Sequence, residues 1–138
     1  MALLKGLVNR GVPIDGVGLQ SHHINRVHDI DALKRYIRSI GQLGLKVEIT
    51  ELDVRLRLFG KEKDPYQAQG DQFRKIVEVC LDDPACDGVT LWGLTDGANW
   101  MDSVPPFKWK SPNAPNVFDE YMRKKPAYFG IKEALKQD

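Results

Sequence analysis

Apolar positions along the chain change three times from a short continuous run to a helical stripe. Residues 15–20 (D-G-V-G-L-Q) form a short strand entered from a proline-containing turn. Residues 31–43 follow as a helix with Leu33, Tyr36, Ile37, Ile40 and Leu43 on one stripe, capped by Asp29 or Asp31 and closed by Gly44. Residues 47–51 are the second strand. A charged loop leads from it to Asp64-Pro65, an N-cap followed by proline at the first helical position. That helix carries Phe73, Ile76, Val77, Cys80 and Leu81 and stops before Pro84. Residues 88–92 (G-V-T-L-W) are the third strand. A last helix starts near Pro126 and runs to about Lys136, using Phe129, Ile131, Ala134 and Leu135. The opening residues 1–10 read as the end of a helix closed by Gly11 and Pro13, which raises the expectation that something precedes them in a longer protein.

Strand followed by helix, three times over, implies parallel strands joined by right-handed crossovers. All three strands end in polar or aromatic residues on one edge. The fold class is therefore α/β, and the pattern suggests part of a (β/α)8 TIM barrel, whose full set needs about 250 residues. Three parallel strands leave two open edges, through which self-association is an expected consequence. Between residues 93 and 125 no periodicity appears, but Trp100, Phe107, Trp109, Phe118 and Tyr121 do, with four prolines. A connection this long reads as a substrate-covering loop, or as a surface loop packed on its own aromatics.

Composition narrows the field. Lys plus Arg (20) nearly balance Asp plus Glu (19), and 42% of residues are hydrophobic, as in one soluble domain. No clustered basic face recruits nucleic acid or an anionic membrane, and no apolar run approaches the roughly 20 residues that span a bilayer. Residues 1–10 lack the order of a signal peptide. Cys80 and Cys86 flank D-D-P-A, a spacing that allows either a small disulfide loop or two unlinked buried thiols.

The stretch V-E-I-T-E-L-D (residues 47–53) carries the chemistry: a β-branched run that ends in two carboxylates. Strict alternation places Val47, Ile49, Glu51 and Asp53 on one face, and Glu48 with Thr50 and Leu52 on the other. Two acids then leave the carboxyl end of a strand together, where α/β folds do chemistry.

G-L-Q-S-H (18–22), I-T-E-L-D (49–53), C-x5-C running into V-T-L-W-G-L-T-D (89–96), Trp100 and K-P-A-Y (125–128) resemble, in order, the C-terminal part of family 10 glycoside hydrolases. These are retaining endo-β-1,4-xylanases, and the resemblance covers roughly the last three of their eight barrel units. It implies that residues 1–138 are the C-terminal part of such a catalytic domain, secreted and acting on xylan without metal or cofactor. It also implies that Glu51 is the nucleophile, that His22 bonds to Glu51, and that Asp53 holds the histidine. Gln20 would contact the sugar beside the cleaved bond. Trp92 and Trp100 would form apolar walls, since the C–H face of a pyranose suits an indole. The cysteines fall within the resembling stretch and are expected as the Cys80–Cys86 disulfide.

A retaining glycosidase needs a second carboxylate about 5–5.5 Å from the first. In the family that acid comes from an Asn-Glu pair on a strand that has no counterpart here. Glu48 is excluded on the strict alternation, and Glu62 lies in a charged loop. The expectation is thus the nucleophile half of a site, poorly active on its own. Two rivals remain: a non-catalytic carbohydrate-binding remnant, and a metal-dependent hydrolase using His22, His23, His28, Glu51 and Asp53. Adjacent His22 and His23 face oppositely on a strand, which argues against the metal. Trp92 could also be plain core filling, and His23 and His28 read as structural histidines.

Overall fold

A computed structural model describes residues 1–27, 29–109 and 112–136; His28 lies outside the described residues. Helix α1 (Ala2–Asn9) leads into β1 (Gly16–Leu19), β2 (His22–His23), α2 (Ile30–Gly41), β3 (Lys46–Val54), α3 (Pro65–Leu81), β4 (Cys86–Leu91) and α4 (Pro126–Ala134). Asp29 caps α2 by accepting from the amides of Asp31 and Ala32, and Asp64 caps α3 through the amide of Gln67. Gly11 and Gly44, both at positive φ, turn the chain after α1 and α2.

The sheet is parallel throughout, with β3 at its centre. β1 pairs along the first half of β3, β2 along its last two residues, and β4 along the opposite edge from β1. Among the described residues, β1 and β4 pair only with β3, so each keeps an open edge. The two-residue β2 was not evident from the pattern, because Ser21 (φ 60°) interrupts the run after β1.

Register corrects the expectation of strict alternation in β3. Leu19 pairs with Ile49, and His22 with Asp53. Two residues, Gln20 and Ser21, thus lie opposite three, Thr50, Glu51 and Leu52. The pairing with β4 slips in the same place, between Ile49–Val89 and Leu52–Leu91. β3 therefore carries one extra residue just after Ile49, a bulge that shifts the alternation. Val47, Ile49, Leu52 and Val54 are all essentially fully buried in the packed cores. The acids do not share the face of Val47 and Ile49. Asp53 lies opposite Leu52 and Val54, on the face that Glu48 holds earlier in the strand. Glu48 is kept from Glu51 by distance instead, three residues or roughly 10 Å along the strand, and it accepts from Thr90 Oγ1.

One core joins β3 to α3 and α4 through Ile49, Leu52, Phe73, Ile76 and Ala127; the other packs Ile37 and Ile40 of α2 against Val47 and Val79. Tyr36, expected on the buried stripe, is exposed and lines an open cavity beside the free edge of β1 with Gln20 and Ser21. Leu81, Phe129 and Leu135 are also exposed. In α4 the small residues are buried instead, Ala127 and Ala134 fully, because α3 and α4 meet backbone to backbone. A Cβ on Gly130 would collide with the carbonyl oxygen of Gly70, and one on Gly70 would lie 2.8 Å from the Pro126 carbonyl. Cys80 at the end of α3 and Cys86 at the start of β4 are joined by a disulfide.

Gly130→Ala should force α3 and α4 apart and destabilise the fold by about 1–3 kcal/mol. Gly88→Ala, where an added Cβ meets nothing within 4 Å, should stay within about 0.5 kcal/mol; equal denaturation midpoints for the two variants would contradict the tight crossing.

Candidate active site

The bulge presents Glu51 beside the end of the β1–β2 run. The positive φ of Ser21 costs about 1–2 kcal/mol and separates β1 from the start of β2 at His22. His22 Nε2 lies 3.0 Å from Glu51 Oε2, and its Nδ1 lies 3.0 Å from Asp53 Oδ2. Both ring nitrogens thus face carboxylate oxygens, so a cationic ring donates to both and a neutral ring to one. His22 and Glu51 are partly exposed, whereas Asp53 is fully buried. His23, the next residue, is fully buried.

Asp53 Oδ2 also accepts from the Trp100 indole Nε1 at 2.7 Å. Its other oxygen, Oδ1, is buried with no hydrogen-bond partner among the described residues. Burial raises the Asp53 carboxyl above the ordinary aspartate value, and the Trp100 bond and the nearby His22 only partly offset it. Around His22 stand two indoles: Trp100 at 5.4 Å between centroids, and Trp92 at 6.1 Å, edge to face. Trp92 is 47% exposed, which removes core filling as its role. Gln20 stands apart from the bonded group; it is exposed and faces the cavity at the free edge of β1.

The loop between β4 and α4 brings in Trp100. Gly93 (φ 111°) turns the chain directly after Trp92, and an added Cβ there would press on the Asn116 side chain. Three short 3-10 turns follow, Asp96–Ala98, Trp100–Asp102 and Phe107–Trp109. Asn99 closes the second by accepting from the Asp102 amide and donating to Asp102 Oδ2 and to the Asp96 carbonyl. Asn113 donates to Asp102 Oδ1 and accepts from Arg55 Nε just after β3. Phe107 packs edge-on against Trp100, with the Arg55 guanidinium over its outer face.

At the base of the loop Lys125 is 5% exposed. Its Nζ donates to Asp96 Oδ2 (2.7 Å), to the Ala114 carbonyl (2.9 Å) and to the Asn116 carbonyl (2.8 Å). Burial lowers the ammonium's pKa and raises that of Asp96, each partly offset by the other. Gln69 of α3 bridges the Val54 and Ala114 carbonyls. Lys125, Asn99, Asn113, Arg55 and Gln69 carried no expected role. The available signal was the density of Asn, Asp and Gly in an aromatic loop, the composition of side-chain-to-backbone turns.

Comparison with known proteins gives the family and the fold. The family model described as Glycosyl hydrolase family 10 matches residues 1–134. The chain is 36% identical to Endo-1,4-beta-xylanase B of Thermotoga neapolitana, an alignment that covers 98% of this chain and 38% of that protein. It is also 36% identical to Endo-1,4-beta-xylanase A of Humicola insolens, over 96% of this chain and 34% of that protein. Among solved structures, native xylanase 10B from Thermotoga maritima superposes with a TM-score of 0.84 at 35% identity, covering 99% of this chain and 41% of that one. Xylanase 10B from Thermotoga petrophila RKU-1, solved in complex with xylobiose, gives 0.81 at 34% identity over 40% of its length. The chain therefore spans between a third and about two fifths of these relatives, as part of a TIM barrel. It belongs to glycosyl hydrolase family 10.

Proposed function

We propose that residues 1–138 are the C-terminal part of a family 10 catalytic domain and carry the nucleophile half of a retaining endo-1,4-β-xylanase site. The observation that carries this reading is Glu51, held at 3.0 Å by an imidazole that a fully buried carboxylate holds in turn. A nucleophile must keep its carboxylate aimed at the anomeric carbon through the reaction, and His22 restrains that carboxylate through Oε2. Attack forms a bond from Glu51 to the anomeric carbon and breaks the bond to the leaving-group oxygen, which takes a proton from a general acid. Water later cleaves the ester, and the configuration is retained.

The neighbouring carboxylate is not that acid. Asp53 is fully buried and its Oδ2 is occupied by His22 and Trp100, so it has no path to a leaving group. Its role is to orient the imidazole. The acid would come from elsewhere in a complete barrel, and this chain alone should be poorly active. Substrate chemistry follows from the walls: the half-exposed Trp92 and the partly buried Trp100 offer indoles to a pyranose, while Gln20 would reach a neighbouring sugar. The relative from Thermotoga petrophila is named with xylobiose bound, which supports a xylo-oligosaccharide ligand. A disulfide between Cys80 and Cys86 fits an oxidising, extracellular setting. The open edges of β1 and β4 are where the remaining strands, or a second copy, would pair.

A deoxyfluoro xylobioside with a dinitrophenolate leaving group needs no acid, so it should add one glycosyl mass to this chain, located on Glu51 by peptide mass mapping. Glu51→Gln should abolish labelling while calorimetry still detects xylohexaose. Sugar binding without labelling of the parent would favour the carbohydrate-binding remnant. His22→Ala, which removes the aiming bond, should slow labelling by roughly 10- to 100-fold.

The raised Asp53 pKa also makes a stability prediction. The folded chain holds this proton more tightly than the unfolded chain, so the group's contribution is full below the ordinary aspartate value of about 4 and is lost as pH rises through the raised pKa. Unfolding free energies should therefore shift in favour of Asp53→Asn, relative to the parent, as pH rises from about 4; a constant difference would contradict the raised pKa.

A further inference from the structure

We propose that Lys125 is the positioning residue for this site: its buried ammonium holds the loop that presses Trp100 onto Asp53, and so aims His22 at Glu51. The inference rests on the reading of Glu51 as nucleophile, and no role in the resemblance is attached to this lysine.

The chain of bonds is continuous. A lysine ammonium has three donors, and all three are taken, by Asp96 Oδ2 and the carbonyls of Ala114 and Asn116. Asp96 passes the constraint on: its Oδ1 accepts the Asn116 amide, and its carbonyl accepts Asn99 Nδ2. Asn99 closes the turn Trp100–Asp102 on the Asp102 amide. That turn delivers the indole N–H to Asp53 Oδ2, the same oxygen that meets His22 Nδ1. Lys125 also ties both ends of the loop together, since Asp96 lies near its start and Asn116 near its close.

The chemistry requires an ammonium here. Three acceptors converge on one buried point, and one of them is a carboxylate. An apolar side chain of equal length would fill the space but strip the Lys125 bond from Asp96 Oδ2 and the Asn116 carbonyl, leaving the Ala114 carbonyl only its bond from Gln69. The planar fork of arginine cannot direct three donors from one atom. Lys125 touches neither Glu51 nor His22, so its effect on them passes through Trp100.

The test uses the nitrogen-15-labelled chain as parent and Lys125→Met. The Trp100 indole proton should leave its hydrogen-bonded chemical shift in the variant, the His22 imidazole resonances should move, and labelling of Glu51 by the fluorinated xylobioside should slow by roughly tenfold or more. Amide dispersion of β3, α2 and α3 reports whether the variant is folded. Unchanged indole and imidazole signals in a folded Lys125→Met would overturn the proposal.

Should that variant not fold, native-state hydrogen exchange on the parent decides. The Trp100 indole and the Asn116 amide should exchange through one shared opening; independent openings would overturn the coupling. Failure of the underlying reading looks different. The parent would then take no label on Glu51, while its Trp100 signal still responded to loss of Lys125.

Discussion

One oxygen, Oδ2 of Asp53, joins the sheet to the loop above it. It meets the imidazole of His22 from one side and the indole N–H of Trp100 from the other, with the carboxylate removed from water. A buried carboxylate with an indole N–H and an imidazole nitrogen on one oxygen, and no partner among the described residues on the other, is held by a balance: desolvation disfavours its charge, and these contacts recover part of the loss. Such a group restrains its partners because alternatives inside the protein leave it with fewer bonds. That is why the nearby Glu51 can remain partly exposed and still be held 3.0 Å from the imidazole.

The strand that carries both acids solves a geometric problem with one extra residue. In an uninterrupted strand, Glu51 and Asp53 would share a face with Val47 and Ile49, which pack against helices. The bulge after Ile49 lets Leu52 and Val54 return to the core and turns Asp53 toward the opposite face. The hydrophobic core thus sets the direction of the acids: burying Leu52 requires the shift.

The loop from Trp92 to Lys125 is ordered by polar bonds more than by its aromatics. Lys125, Asp96, Asn99, Asp102, Asn113 and Arg55 form a nearly continuous chain of side chains from the start of α4 to the end of β3. Among the described residues, the reading of a loop packed on its own rings captured the Trp100–Phe107 contact, whereas Phe118 packs on Tyr128 of α4. Two cooperating glycines, Gly70 and Gly130, do comparable work between the helices, and neither was visible in a pattern that counts apolar residues.

From its sequence alone the chain determined its order of helices and strands apart from β2, its helix caps, the parallel α/β class, and Gln20, His22, Glu51, Asp53, Trp92 and Trp100 as candidates. These are local or one-dimensional properties: apolar period, Asp before a helix, Gly after it, and ordered motifs. Tertiary structure alone decided which face the acids occupy, because alternation counts residues and a bulge appears only when neighbouring strands are paired. It likewise decided that Lys125 is buried, that Tyr36 and Phe129 are not, and that Trp100 reaches Asp53 forty-seven positions away. Bonds across that separation depend on where the backbone returns, which no local spacing encodes.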